Sequence, residues 1–148
     1  MLLRGHELVY FGHSAFLIRS IKGTSILIDP WISNPANKKR VEEFAREVHY
    51  ILITHAHGDH IGDTIDIARM YNSEIIAMFE ITNYLGSKGI SRLTGMNIGG
   101  TVKKGEISFT MVEATHSSTI SEGERVLPGG NPCGFIITCL LYTSDAAD

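Results

Sequence analysis

Short apolar runs separated by turn-forming residues predict β-strands in the first thirty positions of the chain. Runs at 7–11 and 15–20 flank a Gly-His-Ser turn, and a run at 24–28 follows a Lys-Gly turn signal. The third run ends at Asp29, and the proline that follows cannot donate a hydrogen bond to a sheet ladder. This spacing predicts an antiparallel meander of three strands.

The stretch at 37–47 is rich in charge and, with Val41, Phe44 and Val48 at helical spacing, predicts an amphipathic helix. Beyond it, strand and helix patterns alternate. The later elements are predicted as a strand at 50–54, a helix at 62–71, a strand at 74–78, a helix at 81–87, strands at 97–102 and 107–114, a polar loop at 117–131 and a strand at 134–138.

This order of elements favours one fold class. Paired strands at the start, with helices interleaved later, predict a sheet-based α/β sandwich rather than a doubly wound parallel sheet. The 148 residues, of which 43% are hydrophobic and 20% charged, suffice for one domain with a buried core.

Charge and cysteine content disfavour several classes of partner and compartment. The net charge is −3, and no basic run suggests a nucleic acid or lipid surface. No apolar run is long enough to span a bilayer, and the first ten residues lack the pattern of a signal peptide. Two cysteines, Cys133 and Cys139, do not indicate a disulfide framework, which predicts a cytoplasmic location.

The segment that follows the strand at 50–54 carries the most specific chemical signal. Three histidines and one aspartate fall within six residues: His55, His57, Asp59 and His60. Imidazole nitrogen and carboxylate oxygen are the ligands expected for zinc and related divalent ions. Extended backbone lets the first two histidines face one ion, and the turn at the next glycine aims the other two groups at a neighbouring point, as in a two-metal site. The alternative is a surface loop that is histidine-rich by chance.

Five stretches of the chain carry a resemblance to a known family: 10–16, 26–30, 54–63, 96–100 and 115–118. The sequence His-x-His-x-Asp-His after an apolar strand resembles the signature of the metallo-β-lactamase superfamily. The flanking stretches resemble, more narrowly, a bacterial and archaeal family of metal-dependent hydrolases related to the L-ascorbate-6-phosphate lactonases. The resemblance implies that this chain is the N-terminal part of an αββα sandwich whose second half is missing.

The resemblance also implies roles for individual side chains. His55, His57 and His116 are implied as the three nitrogen ligands of a first metal. Asp59 and His60 are implied as ligands of a second metal, and where only one ion binds, Asp59 is implied as the general base. The expected ion is zinc, with manganese or iron as alternatives, because histidine and carboxylate suit all three.

Two further side chains each admit two interpretations. Asp29, at the end of a strand, is either a turn former or an acceptor that orients a ligating histidine. His13, inside the Gly-His-Ser turn, is either a group of the substrate pocket or a structural turn residue.

The family pattern is expected to continue beyond Thr138 with a Gly-Asp-Thr motif, whose aspartate bridges the two metals, and a later histidine. The sequence contains neither of them after this point. Residues 139–148 instead resemble the in-frame translation of a transposon-based sequencing adapter. We therefore interpret 1–138 as a truncated hydrolase domain and 139–148 as a non-native tail, and we expect this chain to be poorly soluble and inactive.

These observations predict hydrolytic chemistry, because a divalent ion activates water and polarises the oxygen of the bond under attack. We expect the full-length parent to be a metal-dependent hydrolase acting on an ester, lactone or phosphoester of a small molecule. A phosphodiesterase of the same superfamily is one alternative, and a non-catalytic metal-binding or sensor protein is another. The sequence indicates no particular oligomeric state.

Overall fold

The computed structural model of the protein describes residues 2–3 and 5–139. Its largest sheet contains seven strands that lie in chain order. These strands are β1 (Leu2–Leu3), β2 (His6–Tyr10), β3 (Phe16–Arg19), β4 (Ser25–Ile28), β5 (Tyr50–Ile53), β6 (Glu74–Met78) and β7 (Leu93–Met96). The pairs from β1 to β4 are antiparallel, which confirms the predicted meander.

From β4 to β7 the strands of this sheet are parallel. Ile51, Leu52 and Ile53 of β5 are fully buried, as expected for a strand covered on both faces. The register pairs Ile28 at the end of β4 with Leu52 of β5. Because parallel strands end at the same edge of a sheet, the residues that follow these two strands are brought together. That edge carries the segment from His55 to His60, which we call the histidine loop.

A second sheet covers the first. It contains β8 (Thr101–Lys104), β9 (Ile107–Glu113) and β12 (Cys133–Cys139), all antiparallel, with β9 in the middle. Phe109 of β9 is fully buried, and its ring meets the ring of Tyr50 at a centroid distance of 5.3 Å. The predicted sheet-based sandwich is confirmed by this contact between the two sheets.

Three helices are described: α1 (Gly58–Ile61), α2 (Thr64–Tyr71) and α3 (Phe79–Ser87). In α2, Ile67 and Ala68 are buried, and the helix ends at Asn72, whose left-handed backbone (φ 52°) is a common helix terminator. Within residues 2–3 and 5–139, no helix is both long enough and apolar enough to cross a membrane.

The predicted helix at 37–47 is wrong. Only a short 3-10 turn, Val41–Glu43, forms there. The Asn37 side chain donates to the carbonyl groups of Ile32 (2.7 Å) and Lys39 (2.8 Å), and it accepts from the amide of Lys39 (2.9 Å). Such local bonds to the backbone compete with helical hydrogen bonds, which explains the irregular course of this segment.

Three further segments differ from prediction. No strand was predicted at 93–96, where β7 forms. The strand expected at 97–102 is shifted, because the chain turns at Gly99 (φ 87°) and β8 begins at residue 101. The predicted polar loop at 117–131 contains a hairpin, β10 (Thr119–Glu122) and β11 (Arg125–Pro128), whose polar composition hides its strand pattern. Of the predicted tail 139–148, only Cys139 is described, and it pairs with Ile107 in the sheet. Residues 140–148 lie outside the described residues, so the interpretation as a non-native tail stays a prediction.

Candidate metal centre

The histidine loop begins directly after β5, at the edge where the parallel strands end. His55 and His57 alternate along extended backbone, and His57 (φ −66°, ψ 149°) precedes the first residue of α1, Gly58. The helix therefore starts earlier than the glycine-turn pattern predicts, and Asp59 and His60 lie in its single turn. The end of β5 thus positions His55 and His57, and the start of α1 positions Asp59 and His60 at a neighbouring point.

The first cluster consists of His55, His57 and His116. One ring nitrogen from each lies within 4.8 Å of the others. His116 comes from the segment after β9, in the second sheet, so this cluster joins the edges of both sheets. The ring centroids are 4.6 Å apart for His55 and His57, and 4.7 Å apart for His55 and His116. The structure brings together the three residues that the sequence predicted as one set.

His55 is the group that tests whether this cluster suits a metal ion. It is buried, its Nδ1 lies 3.0 Å from the hydroxyl of Thr54, and its Nε2 has no hydrogen-bond partner among the described residues. Burial, reinforced by the neighbouring charge of His60, lowers the pKa of His55 to about 4. A neutral imidazole with an unused lone pair is the form that ligates metals, and an unpartnered buried polar atom is costly. The residues therefore fit a divalent ion.

The second cluster consists of His13, Asp59 and His60, again with one candidate ligand atom from each within 4.8 Å of the others. The Nε2 atom of His13 lies 3.0 Å from Oδ2 of Asp59. Burial alone raises the pKa of Asp59, but a backbone hydrogen bond and the charges of His60 and His13 outweigh it and lower the pKa. Asp59 is therefore an ionised carboxylate at neutral pH. The sequence predicted Asp59 and His60 together but left the role of His13 open.

Asp29 lies between the two clusters and is almost completely buried. Its carboxylate accepts from the amide (2.8 Å) and hydroxyl (2.7 Å) of Thr54 and lies 2.8 Å from Nδ1 of His60. Burial alone lowers the pKa of His60, but its bond to Asp29 outweighs this and raises the pKa. Asp29 also turns the chain at φ 44°, so the structure contains the turn and the contact with His60 on which the two interpretations depend, and the role of Asp29 toward a metal ligand stays a prediction.

A close approach of backbone at Gly62 holds α1 in place. A Cβ atom at this position would lie 2.6 Å from Cα of Trp31 and 2.8 Å from the carbonyl oxygen of Pro30, and the φ of 45° also favours glycine. Next to it, the carboxylate of Asp63 accepts from the amide (2.7 Å) and hydroxyl (2.9 Å) of Ser33. The segment after β4 is thereby fixed against the start of α1.

Three residues of the site were not predicted. The Ser118 hydroxyl accepts from the amide of Ala56 (3.1 Å), and the Ser117 hydroxyl lies 3.3 Å from Nε2 of His57. The amide of Cys133 donates to the carbonyl of Thr54 (2.9 Å), and burial raises the pKa of the Cys133 thiol to about 12. The two serines lie in the Thr-His-Ser-Ser stretch that carries part of the resemblance. The contact of Cys133 with Thr54 joins segments that are distant in the sequence, so only the structure reveals it.

A cavity of about 300 Å³ opens beside His116. Its walls include Ile98, Glu113 and Asn131, which come from three separate segments of the chain. The cavity therefore places an apolar side chain, Ile98, and a carboxylate, Glu113, next to the candidate ligand His116. Such a mixture of apolar and polar walls is typical of a pocket for a small molecule.

An α/β sandwich with clustered ring nitrogens at the ends of its strands defines a candidate metal-binding protein. The chain belongs to the family described as Beta-lactamase superfamily domain, which it matches over residues 24–148. The assignment by resemblance is thereby confirmed at the level of the superfamily.

Curated relatives from two organisms illustrate the narrower likeness. A UPF0173 metal-dependent hydrolase of Koribacter versatilis is 41% identical over 138 residues, which cover 93% of this chain and 59% of the relative. A protein of the same name from Methanosphaera stadtmanae is 46% identical over 134 residues, which cover 89% of this chain and 56% of the relative. The chain therefore spans little more than half the length of these relatives.

A solved structure shows the same fold. Igni18, described as a novel metallo hydrolase from Ignicoccus hospitalis, is 37% identical to this chain and superposes with a TM-score of 0.76. The match covers 90% of this chain and 56% of that protein. Sequence and structure comparisons thus both find relatives that are named metal-dependent or metallo hydrolases.

Proposed function

We propose that this chain is the metal-binding part of a hydrolase that cleaves an ester, lactone or phosphoester of a small molecule. The observation that carries the proposal is the buried, unpartnered Nε2 of His55, a residue that clusters with His57 and His116. Relatives that are 41% and 46% identical to this chain are named metal-dependent hydrolases, which supports the reaction type.

In this proposal His55, His57 and His116 hold the first divalent ion. Three imidazole nitrogens favour zinc, while manganese and iron remain compatible with the same donors. Asp59 and His60 contribute to a second ion. When bound, such an ion makes a water molecule more acidic and polarises the carbonyl or phosphoryl oxygen of the substrate.

The chain's own residues supply the remaining functions. Asp59 is ionised and half-exposed, so its carboxylate can accept a proton from a water molecule where a single ion binds. Asp29 fixes the ring of His60 through Nδ1 and the backbone of Thr54 through two further bonds. These hydrogen bonds of Asp29 keep the ring of His60 and the start of the histidine loop in position.

A small molecule is the proposed substrate class. The cavity beside His116 is of a size that suits a metabolite, and the net charge of −3 does not favour a nucleic acid. We also propose a reducing, cytoplasmic environment, which is supported by the free thiol of Cys133, the one cysteine that precedes the segment interpreted as a non-native tail.

Turnover is best tested in a chimera, because the chain spans only part of its relatives. Residues 1–138 replace the matching segment of the Methanosphaera stadtmanae protein, and the chimera is assayed with Zn²⁺, Mn²⁺ or Fe²⁺ against a lactone, a nitrophenyl ester and a nitrophenyl phosphodiester. We expect metal-dependent hydrolysis of the lactone or the ester that His116→Ala abolishes and that the matched variant His6→Ala leaves unchanged.

Three results of this assay would count against the proposal. Turnover of the phosphodiester alone would exclude the ester and the lactone as substrates and favour the phosphodiesterase alternative. Metal binding without turnover of any substrate would favour a non-catalytic metal-binding protein. Turnover that is insensitive to chelators and to His116→Ala would exclude this cluster as the reaction centre.

A further inference from the structure

We propose that His13 is the third ligand of a second divalent-metal site, which it forms together with Asp59 and His60. The inference rests on the proposed function, in that the first ion is assigned to the cluster of His55, His57 and His116. The resemblance assigns only Asp59 and His60 of this chain to a second ion. His13 lies more than forty residues earlier and is brought to them by the fold.

The distances suit a shared ion. Bonds of roughly 2.0–2.2 Å at tetrahedral angles place neighbouring ligand atoms about 3.3 Å apart. The Nε2 atom of His13 lies 3.0 Å from Oδ2 of Asp59, and the rings of His13 and His60 have centroids 5.0 Å apart. All three candidate ligand atoms lie within 4.8 Å of one another, so small side-chain rotations bring them to one ion.

The protonation pattern of His60 also suits a ligand. Its Nδ1 lies 2.8 Å from the buried carboxylate of Asp29, so this nitrogen carries the donated proton. Nε2 is then the ring nitrogen left for an ion. A ligating histidine that donates its other N–H to a carboxylate is the usual arrangement in metal sites.

His13 is held in an uncommon backbone conformation that aims its ring at this point. Its φ is 51°, and its carbonyl accepts from the hydroxyl of Tyr10 at 2.9 Å. The ring stands edge-on to Trp31 with a centroid distance of 5.3 Å. Left-handed backbone at a residue other than glycine clusters at ligand-binding sites, where surrounding structure maintains it. A simple turn residue at this position does not require an aromatic neighbour on one side and a carboxylate on the other.

The second cluster is open to solvent, which allows an ion to enter. The side chains of His13 and Asp59 are 38% and 42% exposed, respectively. One ionised carboxylate and two imidazoles give a mixed nitrogen and oxygen donor set that accepts zinc, manganese or iron. This set differs from the all-nitrogen donors of the first cluster, so the two sites are expected to bind ions with different affinities.

The test is a Co²⁺ titration of the metal-free 148-residue chain, followed by visible absorption and calorimetry. His13→Asn is the main variant, because asparagine tolerates left-handed backbone and removes the ring nitrogens. His6→Ala is the matched control, and His116→Ala reports on the first cluster. Circular dichroism of each metal-free variant checks that the fold is retained.

We expect wild type and His6→Ala to bind two equivalents of Co²⁺. His13→Asn should bind one equivalent normally and the other at least about 100-fold more weakly, beyond the effect of losing an outer hydrogen-bond partner. His116→Ala should retain the equivalent that His13→Asn weakens and should lose the equivalent that His13→Asn retains. A second readout is the ring ¹⁵N signal of His13 upon Zn²⁺ addition, which should shift with the equivalent that His116→Ala retains.

The inference fails if His13→Asn binds both equivalents as His6→Ala does, or if wild type binds one equivalent whose affinity His13→Asn leaves unchanged. In either case the first cluster and the proposed function stand. Binding that His116→Ala leaves intact and His13→Asn removes would instead support the second site and contradict the proposed function. Absence of any Co²⁺ binding would overturn both.

Discussion

The two clusters at the edge of the sandwich differ in how their polar atoms are satisfied. In the first cluster, the Nε2 atom of buried His55 has no partner in the described part of the chain. In the second, His13 contacts Asp59 and His60 contacts Asp29. An unpartnered buried group costs about 1–3 kcal/mol, and an ion at the first cluster removes that cost. The first cluster is therefore built for an ion, whereas the second is stable with or without one.

Their positions in the fold reinforce this difference. His55 follows a fully buried strand and is itself buried, whereas His116 follows the central strand of the other sheet and is exposed. In the second cluster, His13 lies in a turn and is exposed, Asp59 lies in a single-turn helix and is half-exposed, and none of the three side chains is as buried as His55. We therefore expect tighter ion binding at the first cluster than at the second.

The largest expected effect is the loss of a nitrogen ligand from the first cluster. His57→Ala should weaken the tighter Zn²⁺ equivalent by more than about 100-fold, because losing a ligand costs more than losing a supporting hydrogen bond. Calorimetry with Zn²⁺ measures this change. A tighter equivalent that is unchanged in His57→Ala would reverse the order assigned to the two clusters.

Asp29→Asn should affect the second cluster selectively. The amide no longer accepts a charge-assisted bond from His60, so the weaker Zn²⁺ equivalent should lose roughly 10- to 100-fold in affinity. The loss of charge-assisted bonds to Thr54 and His60 should also lower the free energy of unfolding by about 1.5–3 kcal/mol. Calorimetry and urea denaturation measure the two effects. An equal loss at both clusters would show that Asp29 does not distinguish them.

The stability of the metal-free chain should depend on pH through both clusters, with opposite signs. The pKa of His55 falls from 6.5 to about 4, so the unfolded chain takes up a proton first, and stability should drop by at most roughly 3 kcal/mol as pH falls from 6.5 to 4. The raised pKa of His60 gives stability that is present below pH 6.5 and lost as pH rises through its folded pKa. Urea denaturation between pH 4 and 8 measures both.

Variants separate these two contributions. His55→Asn should remove the loss of stability on the acid side, and Asp29→Asn should remove the loss on the alkaline side. If His55→Asn leaves the acid side of the stability profile unchanged, the loss of stability at low pH does not come from His55, and the difference assigned to the two clusters is contradicted.

The smallest expected effect concerns Ser117. Its hydroxyl lies 3.3 Å from Nε2 of His57, a weak contact that an ion would displace. Ser117→Ala should change the affinity of the tighter Zn²⁺ equivalent by less than about tenfold, the equivalent of one ordinary hydrogen bond. A larger loss, measured by the same calorimetry, would mean that Ser117 helps to position His57.

Local patterns predicted the parts of the fold that periodicity controls. The buried strands β5 and β6 and the histidine loop between β5 and α2 were found because apolar runs and clustered donors are visible along the chain. The helix at 37–47 was wrong because the side chain of Asn37 bonds the backbone locally, a competition that helical spacing does not reveal.

Long-range contacts account for what the sequence left open. Asp29 meets Thr54 only because β4 and β5 are parallel neighbours in register. The approach of His13 to Asp59 depends on a turn conformation and on the packing of Trp31, neither of which is encoded by residue spacing. Residue patterns alone therefore predicted the partners that a motif gathers, whereas His116, which the fold brings from the second sheet, was predicted only through the resemblance.

The central claim is that His55, His57 and His116 form a metal centre. Its most direct test is a Zn²⁺ titration of the metal-free chain, followed through the ring ¹⁵N signals of its histidines. The account predicts that the first equivalent shifts these three residues and leaves His6 unchanged. A first equivalent that shifts none of the three, or that shifts only His13 and His60, would contradict it.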